Sequence, residues 1–341
     1  MLSKRKAVFG ILLWLLVLGA FVALTGIDEF ISQLRRITIE EFAWLLLPIT
    51  ASVVFMGTTL YIIIRDLGLG VGWIEAIFMN TSVSLAHNLT PFAQAGGAPI
   101  GAVVLADRSG RPYEECLAAI SMKDMFSFVP TIVIFLVGGP YLWLYNDSLP
   151  RQIQLAFGLF AVLAFLAIVI VAAVRRYPEV VKRGIKRLVN WINVPVGRIP
   201  KVPNVSEEEV EQRVDNFSAS IGEVVTNKTT VVLASTLTTS AFVAQGLLLW
   251  LSLDAVGIEI SAMLAVFIVP VSLFASGLPL PGGSGGVEAT QIFILLILTA
   301  AAREPATVAV VLSRGMVYWT PIILGSISLV VFQLQDITEH A

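Results

Sequence analysis

Apolar residues run through this chain in long unbroken blocks, with no alternation of period two. About 20 such residues carry an α-helix across the hydrocarbon of a bilayer. On that measure the candidate spans are 7–26, 42–64, 72–90, 114–139, 152–174, 229–252, 259–278 and 305–333, with two shorter apolar segments at 95–106 and 286–302. A closed β-barrel would need inward–outward alternation, which the blocks lack. The pattern therefore predicts an all-α, polytopic membrane protein. The first block follows Lys4, Arg5 and Lys6 and has no clear small-x-small cleavage site. It reads as a retained transmembrane helix.

Composition sharpens this picture. Of 341 residues, 57% are hydrophobic and 13% charged, about half the charged share of a soluble domain. The net charge of -2 gives no field for nucleic acid. The one cysteine, Cys116, and the two histidines, His87 and His340, point away from disulfides, zinc and haem. Nucleotide-binding and nucleophile motifs are missing from their required contexts, so neither catalysis nor a cofactor is expected. Lys and Arg cluster at the N-terminus and between Arg175 and Lys201, which predicts that both regions are cytoplasmic. The second cluster runs into SEEEVEQRVDNF, where Ser206 and Glu209 fit a capping box. That segment reads as a solvated cytoplasmic helix.

The chain also repeats itself. SMKDMFSFVPTIV (121–133) aligns with LSRGMVYWTPIIL (312–324), placing Lys123 on Arg314, Met125 on Met316 and Pro130 on Pro321. Upstream of each lies a proline–glycine break, NLTPFAQAGGAP (88–99) and GLPLPGGSGGVE (277–288), and after each break a short charged loop. Counting crossings from a cytoplasmic N-terminus puts DRSGRP inside and AREPA outside. The expected organisation is one membrane domain over 1–341. It comprises an N-terminal span and loop (1–41), repeat 1 (42–139), a linking span (140–174), a cytoplasmic loop (175–228) and repeat 2 (229–333), the repeats having inverted topology. Both termini are expected in the cytoplasm, in the cell membrane.

Each break reads as the tip of a re-entrant hairpin. The candidate tip residues are Thr90, Pro91, Gly96 and Gly97 in the first half, and Pro279, Pro281, Gly282, Gly283, Gly285 and Gly286 in the second. Irregular backbone at membrane depth must be buried in protein or line a wet cavity. Glycine supplies positive φ and close approach there, and the N–H groups opening the second arm favour anions. The simpler reading is that these glycines only let helices pack closely.

Ionisable groups within spans cost about 2.5–3.5 kcal/mol each near a helix centre, so they face the bundle interior and pair. The candidates for substrate binding are Lys123, Asp124, Glu288, Arg314 and His87, with Gln94 beside them; Gln245 and Gln291 are further polar residues in or near spans. Two readings stand side by side. Glu288 neutralises Arg314 or Lys123 structurally, or two cations, one per repeat, bind an anion that crosses the membrane.

NLTPFAQAGGAPIGAVVLADRSGRPYEECLAAI and GLPLPGGSGGVEATQ together resemble the membrane region of lysylphosphatidylglycerol synthases, which defines a wider flippase-like family. The resemblance implies lipid translocation, with a membrane lipid carrying an anionic or phosphate-containing headgroup as substrate. Phospholipids and polyprenyl-phosphate-linked sugars are the two classes implied. It also implies a glycosyltransferase or lipid-modifying enzyme as partner. The soluble synthase domain is not expected here, and so neither is lipid aminoacylation. The doubled glycine of GGSGGVE departs from the family pattern, in which a bulkier residue often precedes the acid. A small-solute or ion transporter, and a non-transporting accessory subunit, remain alternative readings.

The topology is directly testable. Cysteines introduced at Ser109 and Glu304, in a Cys116→Ala background, should react with an impermeant thiol reagent from opposite faces of the membrane. Reaction from one face would remove the inverted repeat.

Overall fold

A computed structural model describes residues 37–90, 94–134, 207–273, 285–299 and 301–339, together with positions 31, 32, 35, 136 and 275. The expected spans 7–26 and 152–174, the basic loop, Ser206 of the candidate capping box, and the tip residues Pro91, Pro279, Pro281, Gly282 and Gly283 lie outside them.

The described elements are all α-helices. In chain order they are α1 (Ile39–Asp66), α2 (Trp73–Leu89), α3 (Gln94–Ser109), α4 (Tyr113–Phe126), α5 (Glu207–Thr226), α6 (Lys228–Asp254), α7 (Ala262–Ser272), α8 (Gly286–Leu298) and α9 (Arg303–Glu339). Among the described residues, four stretches are long and apolar enough to cross a membrane: Ile39–Asp66, Tyr113–Ile134, Lys228–Asp254 and Arg303–Phe332. Between them lie two pairs of shorter helices, α2 with α3 and α7 with α8. At 1.5 Å per residue, even the 17-residue α2 reaches only about 25 Å, short of a bilayer core. Long, short, short, long is thus the order in both halves.

Local chemistry marks the helix ends. Thr38 caps α1: its hydroxyl accepts the Glu41 N–H at 3.2 Å, and the Glu41 carboxylate accepts the Thr38 N–H at 2.7 Å. Asn227 caps α6 through the N–H groups of Thr229 and Thr230. The turn that ends α1 recurs at the end of α6. Gly68 (φ 64°) and Gly257 (φ 79°) take left-handed conformations that suit glycine. Gly68 N–H donates to Arg65 O at 3.1 Å and Leu69 N–H to Ile64 O at 2.9 Å. Gly257 N–H donates to Asp254 O and Ile258 N–H to Leu253 O, both at 2.9 Å. The second set follows the first at one constant offset in sequence.

The same offset relates two close helix contacts. A Cβ on Gly57 of α1 would lie 2.6 Å from Ile77 Cα of α2, and one on Gly246 of α6 would lie 2.4 Å from Val266 Cα of α7. In each half the long helix therefore touches the backbone of the first short helix. α1 and α6 also pack on each other at the centre, where Thr59 and Thr238 hydroxyls meet at 3.4 Å. α2 crosses to the other half and lies antiparallel on α9. Gly325 permits that contact, because a Cβ there would meet Thr81 O at 2.5 Å. The two larger apolar cores among the described residues centre on α1–α4 and on α6–α9.

The fourth span differs from its sequence expectation of one helix over 114–139. A turn at Ser127 and Phe128 interrupts it before helix resumes. Pro130 has no N–H to donate to Phe126 O. The chain tightens instead, with Ser127 N–H on Asp124 O and Phe128 N–H on Met125 O, each at 3.1 Å. The aligned Pro321 sits inside α9 without ending it.

Gly57→Ala and Gly246→Ala should each destabilise the protein by about 1–3 kcal/mol, because a methyl group would have to move backbone. Gly222→Ala in α5, where a Cβ meets nothing within 4 Å, should be neutral or stabilising by up to about 1 kcal/mol through helix propensity. Thermal unfolding in detergent checks both signs. Equal effects at the three positions would remove the close-contact argument.

Candidate functional site

The last turn of α2 bears on two charged clusters, directly through His87 and by way of Asn88 and Tyr318. The first joins α2 to α4. Lys123 and Asp124 are 5% and 7% exposed and His87 is 8% exposed. Lys123 Nζ is 2.9 Å from Asp124 Oδ1, and His87 Nε2 is 3.4 Å from Asp124 Oδ2. Lys123 Nζ also donates to Asn80 Oδ1 at 3.4 Å. Asn80 and His87 stand two turns apart on one face of α2. Among the described residues, neither Asp124 oxygen accepts a hydrogen bond of good geometry and His87 Nε2 makes none. The carboxylate is thus held by proximity of charge, with its lone pairs poorly used.

Gly97 completes this cluster from α3. A Cβ there would stand 2.0 Å from His87 Cδ2 and 2.5 Å from His87 N. The second arm of the first break therefore rests directly on His87. Gly96 and Gly97, expected at a tip, lie within the first turns of α3, and Gly97 acts through close approach. Gln94 opens the same helix. Thr90 follows α2, and its hydroxyl donates to Ala86 O at 2.8 Å.

The second cluster joins α8 to α9. Arg314 Nε is 3.4 Å from Glu288 Oε1. Glu288 Oε2 accepts the Gly285 N–H at 2.7 Å. Gly285, with φ 85°, is the residue before α8, and Gly286 is the first residue within it. Glu288 therefore serves two positive partners at once, the guanidinium and the N-terminal end of a helix. Of its two expected partners it takes Arg314, while Lys123 takes Asp124.

Arg314 also lines a narrow crevice between α6, α7, α8 and α9, together with Gln245, Gln291 and Ser313. Gln291 donates from Nε2 to Ser272 Oγ at 3.0 Å, while its buried Oε1 has no partner among the described residues. Gln245 Nε2 donates to Ser52 Oγ of α1 at 3.0 Å. On another side of α6 an apolar groove of about 620 Å³ runs between α1, α6 and the helix that resumes after α4 (129–134), walled by Leu47, Phe55, Val129, Val133, Leu247 and Trp250 among others.

The two clusters are linked. Asn88 Nδ2 donates to Tyr318 O at 3.1 Å, and Tyr318 OH donates to Asn88 O at 3.2 Å. Asn88 follows His87, and Tyr318 lies one turn beyond Arg314 on α9. Sequence reasoning passed over Asn80, Asn88 and Tyr318 because it weighed charges and glutamines. Two asparagines in one apolar block were the available signal.

The profile of the lysylphosphatidylglycerol synthase TM region matches residues 7–325. A UPF0104 membrane protein of Methanothermobacter thermautotrophicus is 24% identical over 329 residues, covering 93% of this chain and 92% of its own length. A second UPF0104 membrane protein of that organism is 22% identical over 262 residues, covering 76% and 74%.

The pairing of Lys123 with Asp124 can be tested by stability alone. Asp124→Asn leaves a buried ammonium without its carboxylate and should cost about 3–5 kcal/mol. Adding Lys123→Met should recover more than half of that loss in thermal unfolding. A double variant no more stable than the single one would mean that Asp124 does not neutralise Lys123.

Proposed function

The chain belongs to the family of the lysylphosphatidylglycerol synthase TM region, and from that premise we propose that it moves an anionic, phosphate-bearing lipid across the membrane. The observation that carries the reading is a pair of cations withdrawn from solvent, the buried Lys123 and the largely buried Arg314. Each half supplies one and each pairs with a carboxylate. Glu288 lies at the start of α8, and Asp124 faces His87, on which the start of α3 packs. On this reading the short helices form two re-entrant hairpins in inverted repeats, with both termini in the cytoplasm. Their constant sequence offset and common turn geometry support that arrangement.

A phosphate leaving water needs charge and hydrogen bonds in return, and ammonium and guanidinium groups provide both. Glu288 holds Arg314 when no substrate is present and limits the cost of an unpaired charge. Asp124 does the same for Lys123. The headgroup passes α2's last turn from one cluster to the other, assisted by the amides of Gln245 and Gln291. The apolar groove between α1, α6 and the helix after α4 suits an acyl or prenyl chain rather than a hydrated solute. A glycosyltransferase or another lipid-modifying enzyme would act on the same lipid.

Liposomes containing the purified chain and a fluorescent phosphatidylglycerol probe, with an impermeant quencher outside, measure translocation directly. Lys123→Gln and Arg314→Gln should each slow it by about tenfold or more, the loss expected on removing a charge-assisted hydrogen bond. Arg314→Lys should retain part of the rate if charge dominates. Unchanged probe movement in the Lys123→Gln, Arg314→Gln double variant, with folded protein in the vesicles, would leave both cations structural.

A further inference from the structure

The geometry points to His87 as a proton-binding site whose charge is linked to binding of the lipid's phosphate. The inference rests on the lipid-translocation reading and adds a second ligand to it, the proton. With His87 neutral, Lys123 and Asp124 cancel, and the cluster offers an anion no net charge. A proton taken up by the ring places hydrogen on both nitrogens, and the cluster then carries one net positive charge beside the first hairpin's second arm. Lys123 is no longer needed in full by Asp124, because the imidazolium Nε2–H faces the same carboxylate at 3.4 Å. The ammonium can then turn toward an incoming phosphate.

Three observations carry this. The imidazole is buried, yet among the described residues its Nε2 makes no hydrogen bond. A neutral histidine retained only for packing would be expected to satisfy that nitrogen. Both oxygens of Asp124 are buried without a good hydrogen bond among the described residues, so the carboxylate has lone pairs to offer a new donor. The contact with Gly97 is so close that a change in ring position must be felt by α3.

The surroundings leave His87 as the titrating group. From α4 it faces Lys123 and Asp124. α3 presents Gly97, with its charged residues Asp107 and Arg108 at its far end. α1 carries charge at its ends, in Glu40, Glu41, Arg65 and Asp66. From α9 the nearest ionisable groups are Tyr318, whose hydroxyl is spent on Asn88 O, and Arg314 one turn further. Linkage is reciprocal: if the proton strengthens phosphate binding, the phosphate must hold the proton by the same factor.

Because the chain has only two histidines, the test is spectroscopic. The full chain carrying His340→Gln is labelled at histidine with a nitrogen isotope. It is then placed in nanodiscs of phosphatidylcholine with or without dioleoylphosphatidylglycerol, at high salt to screen the surface potential. The imidazole nitrogen shifts are followed from about pH 4 to about pH 8, the range in which histidine switches. We expect one titration, with its midpoint raised by about one pH unit when phosphatidylglycerol is present. That shift equals roughly tenfold tighter lipid binding to the protonated form. In His87→Gln the affinity for phosphatidylglycerol should lose its rise toward low pH. An imidazole that stays neutral throughout would overturn the inference, as would a midpoint indifferent to phosphatidylglycerol or a pH dependence surviving in His87→Gln. A lipid-dependent midpoint without translocation would overturn the transport reading and leave the linkage. Cation-dependent translocation with a lipid-independent midpoint would do the reverse.

Discussion

A charge placed among apolar helices must find its counter-charge within a few ångströms, and this constraint organises the whole middle of the molecule. Lys123 has Asp124 as its sequence neighbour, so one turn of α4 carries both signs. Arg314 has no acid beside it, and α9 must pack against α8 to reach Glu288. The two halves thus meet one requirement in two ways, one within a helix and one between helices. The second makes the position of α8 a condition for burying Arg314.

Close approach of backbones makes these pairings geometrically available. Gly57 and Gly246 draw the first short helix of each half onto the long helix before it. Gly325 does the same where α2 meets α9, and Gly97 where α3 meets His87. Helices in lipid gain little from hydrophobic exclusion, so short contact distances and interhelical hydrogen bonds carry the association. The hydroxyl and amide contacts between Thr59 and Thr238, and between Ser52 and Gln245, lie along the same α1–α6 seam.

The helical class, the positions of most described elements and the two cations within the apolar blocks could be read from sequence because each depends on one strong signal. Long apolar blocks give spans, and a charge inside a block is conspicuous. What sequence did not resolve depends on which faces meet. Lys123, Asp124, Glu288 and Arg314 could be grouped, but their division into two clusters follows from α2 crossing to α9, a contact between halves that periodicity does not encode. Gly97 shows the same limit. Its neighbours suggested a turn, whereas its place inside α3 and its contact with His87 depend on how the second arm packs. Asn80, Asn88 and Tyr318 are ordinary residues until that packing brings them to Lys123 and to each other.

The two carboxylates are not equivalent as counter-ions. Glu288 is fixed at both oxygens, by Arg314 and by the Gly285 N–H, so an anion approaching Arg314 competes with a carboxylate that retains a second donor. Releasing Arg314 therefore leaves Glu288 capped at a helix N-terminus rather than stranded. Asp124 has no such second anchor among the described residues. Releasing Lys123 requires another positive partner to take its place, and His87 stands within 3.4 Å to provide it. On the proposed reading, a helix N-terminus supports exchange in one half and a titratable ring in the other. The same physical need, never leaving a buried carboxylate alone, assigns Gly285 and His87 corresponding tasks.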